Sequence, residues 1–268
     1  MQTYSVNGTT GGSFTSPQGT VVTIPANGFV TQSNIPVTGT VTIQFKDVYK
    51  KKDMLFSGMT TGTIWGTPLK SGGEFFIKAM ASNSPVLMAP GKKISVAQPA
   101  SLTGGMDTVN AQQAFIGQMD TTGGRGWAPT PSDTVSWNTN SYIFNLYTFN
   151  TPADSGSWCN SDNSTYFSAY PQTLVTLHAN DLVSTYGTQT YLVFNNISSM
   201  VHVYSYGNDF PYYYAPQGLQ CTLVSVGVKD GVLYSAFVPF TIGSNQTLNF
   251  TLSATTTNDF KAQMTALH

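Results

Sequence analysis

The sequence contains few charged residues. They make up 9% of the 268 positions, and the formal net charge is −1, whereas about 25% of residues are charged in an average soluble domain. Such a chain has no basic field that would attract nucleic acid or anionic lipid, and no acidic field that would attract cations. We therefore expect no nucleic-acid partner.

Side chains that commonly catalyse reactions or bind metals are also scarce. Glu74 is the single glutamate, and the three histidines are His178 and His202, both in strand-like runs, and His268. Nucleophilic catalysis needs a base beside its nucleophile, and the sequence has no Gly-x-Ser-x-Gly, His-Glu-x-x-His or Cys-x-x-Cys motif. A Glu–Glu glycosidase pair is excluded, but an Asp–Asp pair stays open, its candidates being Asp154, Asp162, Asp181 and Asp209. We expect no enzyme activity, no cofactor and no metal site.

Long apolar runs are missing as well. No run of eighteen apolar residues occurs, so the sequence predicts no helix that crosses a bilayer. Residues 1–5 have neither a basic nor an apolar region, so a signal sequence of an exported protein is not present in this numbering. Thr, Ser, Asn, Gln and Gly fill the polar positions, as is typical of secreted β proteins. We therefore expect an extracellular or cell-surface location.

The chain has only two cysteines, Cys159 and Cys221. If the protein is exported, we expect them to pair, which would close a loop of about 62 residues and stabilise the fold by ~4 kcal/mol in an entropic model. The alternative is that Cys221, which lies in an apolar strand-like run, is a small buried hydrophobic residue.

Material for a β core is plentiful, since 40% of the residues are apolar and 13% are aromatic. In residues 37–46, Val41, Ile43 and Phe45 alternate with polar residues, which predicts a half-buried strand. Similar runs of β-forming residues, bounded by turn residues, occur at 19–25, 73–79, 93–97, 142–147, 173–177 and 191–194. The fold class predicted is all-β.

The spacing of these runs predicts two domains of β-sandwich type. The first comprises residues 1–100, an irregular Gly- and Pro-rich connection follows over 101–140, and the second domain comprises 141–268. In the second domain, Lys229-Asp230-Gly231 between apolar runs predicts a hairpin. Phe260, Met264 and Leu267 follow a capping candidate at Thr257 or Asn258, which predicts a short C-terminal helix.

A cluster of aromatic residues follows Asp209, namely Tyr212, Tyr213 and Tyr214. Consecutive aromatic residues of a strand cannot all point into one core, so some of them are expected at the surface or in an interface. Exposed tyrosines suit sugar rings or partner proteins, because they offer a large apolar area and a hydroxyl group. We predict a binding site at Asp209 and Tyr212–Tyr214, and local packing under a loop is the alternative.

Two polar patterns are weaker. Asn160, Asp162 and Ser164 alternate like the ligands of a calcium loop, but the glycine and the bidentate glutamate of such a loop are absent, so a polar loop is the better interpretation. The lysines at 50–52 are interpreted as a solvated loop.

Several segments resemble a module of uncharacterised cell-surface proteins of the Bacteroidota, whose N-terminal β-sandwich is distantly similar to that of zonula-occludens proteins, netrin receptors and ankyrins. The segments that carry this resemblance are residues 19–29, 36–41, 53–54 and 71–75, together with 158–162 in the half that follows. The resemblance implies an envelope or extracellular location and no reaction. Some eukaryotic relatives cleave themselves at a His-Phe-Ser triplet, but Phe167-Ser168 lacks the histidine, so we expect no self-cleavage.

Three threonines in the predicted connection match an O-glycosylation signal of the same bacteria, an aspartate and a threonine followed by an apolar residue or threonine. They are Thr108, Thr121 and Thr134. We expect glycosylation at these threonines, because exposed loops are accessible to a transferase. A motif this short also arises by chance, so the alternative is that they are ordinary, unmodified loop threonines.

Two functional hypotheses follow. The first is a structural, assembly or adhesion protein of the cell surface without catalytic activity, whose partners are copies of itself or other envelope proteins. The second is a carbohydrate- or protein-binding module that uses the tyrosine cluster.

Overall fold

The computed structural model describes residues 1–103, 112–119, 125–149, 156–181 and 187–267. Strands account for 56% and helices for 10% of the residues, so the predicted all-β class is confirmed. The chain forms two compact units, each assembled from separate segments. Unit 1 consists of Met1–Tyr49, Ser71–Met119 and Trp127–Asn163, and unit 2 consists of Lys50–Lys70, Asp120–Gly126 and Ser164–His268.

Unit 1 is a sandwich of two sheets with a small strand pair beside them. Its strands are β1 (Gln2–Asn7), β2 (Gly12–Thr15), β3 (Val21–Ile24), β4 (Phe29–Val30), β5 (Thr40–Val48), β6 (Lys70–Ala81), β7 (Ser84–Pro85), β8 (Leu87–Met88), β9 (Ile94–Pro99), β10 (Gln113–Met119), β11 (Arg125–Pro129), β12 (Thr134–Asn138), β13 (Ser141–Leu146) and β14 (Ser157–Asn163). The larger sheet has the order β1-β5-β6-β14-β10-β11, with β7 beside β6. The smaller sheet has the order β12-β13-β9-β3-β2, and β4 pairs with β8.

The core of unit 1 lies between its two sheets. On β5, the predicted inward residues Val41, Ile43 and Phe45 are fully buried. The Phe45 ring lies 5.9 Å from the ring of Phe75 on β6, and Phe75 lies 5.2 Å from Phe144 on β13 of the smaller sheet. Because these rings come from both sheets, the apolar faces pack directly against each other.

The structure divides the chain differently from the predicted domains. The segment 101–140, expected to be an irregular connection, contains β10, β11 and β12, and buries Phe115 and Trp127. Strands β13 and β14, expected in the second domain, belong to unit 1, because β13 pairs with β9 and β14 with β6 and β10. Such pairings between distant segments leave no signal in local composition.

Unit 2 is a second sandwich with helices. Its elements are α1 (Lys51–Ser57), β15 (Gln172–Ala179), β16 (Gln189–Phe194), β17 (Met200–Val203), β18 (Asp209–Pro216), β19 (Gln220–Lys229), β20 (Val232–Thr241), β21 (Gln246–Phe250), β22 (Ser253–Thr255) and α2 (Thr257–Ala266). One sheet has the order β18-β15-β21, in which β21 is parallel to β15, and the other has the order β17-β16-β19-β20-β22. Both sheets contribute to one apolar core, which includes Leu177, Leu223 and Phe250.

Two local predictions in unit 2 are confirmed. Asp230 and Gly231 both have positive φ and connect β19 to β20, as a tight hairpin requires. The C-terminal helix α2 buries Phe260 and Met264. Its cap is Thr256, whose side chain accepts a hydrogen bond from the Asp259 N–H at 3.1 Å, and thus lies one residue before the predicted candidates. Neither helix of the described residues is long and apolar enough to cross a membrane.

The lysine triplet is not the solvated loop that we expected. Lys51 begins α1 and is buried, and its Nζ donates a hydrogen bond to the Phe194 carbonyl at 2.6 Å. Burial lowers the pKa of Lys51 to about 8.

The predicted bridge between Cys159 and Cys221 is not formed. Both thiols are free and fully buried, Cys159 in the core of unit 1 and Cys221 in the core of unit 2. Burial raises the pKa of both thiols. The alternative interpretation of Cys221 as a small buried hydrophobic residue agrees with this placement.

We predict that both thiols are protected in the native protein and reactive once it unfolds. A thiol probe added without reductant should label neither cysteine rapidly under native conditions and both in denaturant, because burial keeps the thiols protonated and inaccessible. The variant Cys221→Ser should give one labelled thiol in denaturant. Absence of labelling in denaturant would contradict the structure.

Candidate binding surface and buried polar network

Strand β18 contains a β-bulge at two of the tyrosines that the sequence analysis singled out. From Tyr212 to Ala215, β18 advances three residues while its partner β15 advances only two. The extra residue interrupts the alternation of side chains. Tyr212 and Ala215 are therefore both buried, whereas Tyr213 and Tyr214 between them are 66% and 43% exposed.

A neighbouring turn brings a tryptophan to the bulge. The Tyr212 hydroxyl donates a hydrogen bond to the Gly66 carbonyl at 3.0 Å, and the Tyr214 ring lies 3.9 Å from where a Cβ of Gly66 would be. The turn is held by the Thr63 side chain, which accepts the Trp65 N–H at 3.3 Å. Trp65 is 62% exposed. Trp65, Tyr213 and Tyr214 together form what we call the aromatic surface.

The other predicted binding residues have different roles. Tyr212 lies beneath the aromatic surface as an anchor, and burial raises the pKa of its hydroxyl. Asp209 begins β18 and lies 2.7 Å from Nδ1 of His178 on β15, with both side chains half-exposed. A pair this exposed contributes little stability, but it leaves hydrogen-bonding groups at the surface. Trp65 was not predicted as a site residue. Gly66, which follows it, is a turn signal, but it does not indicate that the turn lies beside β18.

Of the three predicted glycosylation threonines, the structure describes Thr134, and Thr108 and Thr121 lie outside the described residues. Thr134 is the exposed first residue of β12, and its hydroxyl accepts a hydrogen bond from Asn145 at 3.2 Å. The preceding Asp133 is buried and accepts the Tyr147 N–H at 2.8 Å. In the folded protein, the aspartate of this motif is therefore covered while the threonine is accessible.

A network of buried hydrogen bonds connects three strands of unit 1. Gln98 on β9 donates to the Gly73 carbonyl on β6 at 2.6 Å and accepts from the Ser161 hydroxyl on β14 at 2.6 Å. The Ser71 hydroxyl of β6 donates to Asn160 of β14 at 2.9 Å. The network thus joins residues 71–75 to residues 158–162, two segments that carry the resemblance.

Two fully buried carboxyl groups adjoin this network, Glu74 on β6 and Asp162 on β14. Asp162 accepts a hydrogen bond from Asn160 at 2.6 Å, whereas neither oxygen of Glu74 has a hydrogen-bond partner among the described residues. Burial, and then the nearby Asp162, raise the pKa of Glu74 well above its usual value, against a smaller opposing effect of Lys46. Burial also raises the pKa of Asp162. Among the described residues, no group of three or more His, Cys, Asp or Glu side chains could hold a metal ion.

We predict that Glu74→Gln stabilises the protein at neutral pH. The pKa of Glu74 is higher in the folded state than in the unfolded state. The free energy of unfolding that this difference contributes is fully present below the unfolded-state pKa, and it is lost as pH rises through the folded-state pKa. One pH unit between these two pKa values corresponds to about 1.4 kcal/mol. The variant should therefore unfold at higher denaturant concentration than the wild type at pH 7, and at a similar concentration at pH 4.

Asp53→Asn is the matched control, because Asp53 is a partly exposed carboxylate of α1. Unlike Glu74→Gln, Asp53→Asn should not stabilise the protein at pH 7, because a negative charge in the first turn of a helix is favourable. A Glu74→Gln variant that is no more stable than the wild type at pH 7 would contradict this prediction.

Comparisons with known proteins add no assignment. No protein-family model matches the chain, and no curated protein matches it. The resemblance to the Bacteroidota module therefore stays a prediction.

Proposed function

We propose that this chain is a non-catalytic structural or assembly protein of the cell exterior, which contacts its partner through the aromatic surface of unit 2. The observation that supports this most is the bulge in β18, which leaves Tyr213 and Tyr214 exposed close to the turn that carries Trp65. Large aromatic side chains are the residues that most often anchor interfaces. The partners proposed are copies of this chain or other envelope proteins.

The low charge of the chain supports the same role. With 9% charged residues and a net charge of −1, long-range repulsion between copies is weak. A contact between two such surfaces buries few charged groups and so avoids most of the desolvation penalty of an interface. Export and envelope location are proposed from composition and from the resemblance.

Glycan binding is the second candidate. It is favoured by the half-exposed Asp209–His178 pair, which lies on the same pair of strands as the tyrosines. Aromatic faces stack against sugar rings, and carboxylate and imidazole groups bond sugar hydroxyls. The aromatic surface would then hold a carbohydrate in place of a protein.

We predict that the wild-type protein forms oligomeric species at tens of micromolar, in both low and high salt. The double variant Trp65→Ala/Tyr213→Ala should lose these species, because it removes the apolar area of the contact. Tyr206→Ala is the control, since Tyr206 is highly exposed and lies outside the aromatic surface. Light scattering measures the masses, and a strictly monomeric wild type in both salts would end the assembly proposal.

For the glycan candidate, we expect saturable quenching of tryptophan fluorescence on titration with soluble cello-, xylo- or chito-oligosaccharides. Tyr213→Ala should abolish the effect, because it removes a stacking face. Ile35→Ala should leave it unchanged, since Ile35 is exposed and belongs to unit 1. A flat titration with all three sugar classes would count against glycan binding and would leave the assembly role as the sole proposal.

A further inference from the structure

The outer face of the sheet β18-β15-β21 presents side chains in register across its three strands. Successive side chains of a strand point to opposite faces. Leu177 of β15 belongs to the core of unit 2, so Thr176 and His178 on either side of it face outward. Residues that pair across the strands face the same way, and two rows of outward side chains result, Asp209–His178–Asn249 and Pro211–Thr176–Thr247.

Most polar groups in these rows are open. Oδ1 of Asp209 and Nδ1 of His178 bind each other at 2.7 Å. Among the described residues, the second carboxylate oxygen of Asp209 and the Asn249 amide have no hydrogen-bond partner, and the same holds for the hydroxyl groups of Thr176 and Thr247. Asn249 and Thr247 are exposed. Three paired strands therefore hold several unused donors and acceptors toward solvent.

A tight turn places an aromatic ring beside the Asp209–His178 pair. Tyr206 donates its N–H to the Asp209 carbonyl at 2.6 Å and accepts the Asp209 N–H at 3.1 Å. Two residues that exchange both bonds lie directly opposite each other, and their side chains project to the same side with Cβ atoms about 5.5 Å apart. Tyr206 is 85% exposed. Its ring is therefore accessible next to the Asp209 carboxylate on the outer face.

The two ends of this face are aromatic and its middle is polar. From Asp209 to Tyr213, β18 extends over about 13 Å. Tyr206 lies at the first end, and Tyr213 of the aromatic surface lies at the second. The row between them carries the hydroxyl groups of Thr176 and Thr247. Protein interfaces have an apolar centre and a polar rim, so this arrangement is the reverse of what a protein partner requires.

We propose that the outer face of β18-β15-β21 binds a linear, neutral oligosaccharide, and that Tyr206 with the Asp209–His178 pair forms a second sugar subsite beyond the aromatic surface. The proposal rests on the glycan candidate and extends its site. A sugar ring has an apolar C–H face that stacks on an aromatic ring, and hydroxyl groups at its edge that bond to carboxylate, amide and hydroxyl groups. Rings at both ends with hydrogen-bonding groups between them suit a chain of such units.

The charge of the face selects the class of glycan. The two rows contain one carboxylate, Asp209, and no lysine or arginine. An acidic glycan would bring its own carboxylates close to Asp209 without a cation to pair with, which opposes binding. A neutral sugar meets no such repulsion and can donate a hydroxyl to the open oxygen of Asp209.

The test compares Tyr206→Ala with Tyr206→Phe, which keeps the ring. Calorimetric titration uses the cello-, xylo- and chito-hexasaccharides and the corresponding disaccharides. The hexasaccharide that binds the wild type should bind Tyr206→Ala at least about tenfold more weakly than Tyr206→Phe, because the second stacking face is lost. Its disaccharide, which fits on the aromatic surface alone, should bind both variants equally. Thermal unfolding of Tyr206→Ala should match the wild type, since the side chain is exposed.

Nuclear magnetic resonance gives a readout at the second subsite itself. The ring signals of His178 and the side-chain amide signals of Asn249 should shift when the hexasaccharide is added. In Tyr213→Ala the same signals should still shift, at higher sugar concentration. A hexagalacturonate of equal length should bind the wild type more weakly than the neutral hexasaccharide, and equal binding would contradict the neutral class.

The outcomes separate this proposal from the functions on which it builds. Equal hexasaccharide binding by the two Tyr206 variants, or binding that leaves the His178 and Asn249 signals unmoved, would overturn the second subsite and leave glycan binding at the aromatic surface standing. If none of the three hexasaccharides binds, the second subsite and the glycan candidate both fall. The assembly role is decided independently by light scattering, in which Tyr206→Ala has no effect.

Discussion

Unit 1 depends on the insertion of β14 between β6 and β10, because this pairing joins the first half of the larger sheet to the second. The hydrogen bonds of Ser71 with Asn160 and of Gln98 with Gly73 and Ser161 fix the strands at this junction. The junction also requires glycine. Gly73 has a φ of +121°, and a Cβ there would lie 2.5 Å from the Tyr49 ring. The same close packing buries Glu74 and Asp162, so two carboxyl groups lose their hydration when the sheet forms.

Unit 2 contains two strand edges with opposite properties. On β18, the bulge uses one extra residue to turn two consecutive aromatic rings outward, and the same bulge makes the strand a poor partner for edge pairing. On β20, the ladder with β19 is regular over ten residues, and the partner on the other side ends after three. Irregularity therefore exposes aromatic side chains at one edge, whereas the other edge keeps a regular ladder and carries Pro239.

The elements that the sequence predicted well are those whose signal is local. The alternation of Val41, Ile43 and Phe45 and the Asp230-Gly231 turn each specify a structure within a few residues. The predicted domain boundary was wrong because it depends on which distant strands pair. The strands within residues 101–140 have no clear local pattern and are defined by the strands with which they pair. The aromatic cluster could be located from sequence, but not which tyrosine would be buried, because a bulge is defined by the register of two strands. Trp65 joins that surface through a contact of Gly66 with β18, which sequence alone does not indicate.

A chain with so few charges has little electrostatic means of choosing a partner or an orientation. Its specificity has to come from shape, from aromatic area and from the pattern of open peptide groups, and all three are set by strand register. In unit 2, two of the three residues of the aromatic surface lie on β18, and the turn that carries Trp65 is held by its own hydrogen bonds. An assembly of this chain would therefore depend on the fit of its exposed aromatic rings, and a one-residue bulge in β18 decides which of them are exposed.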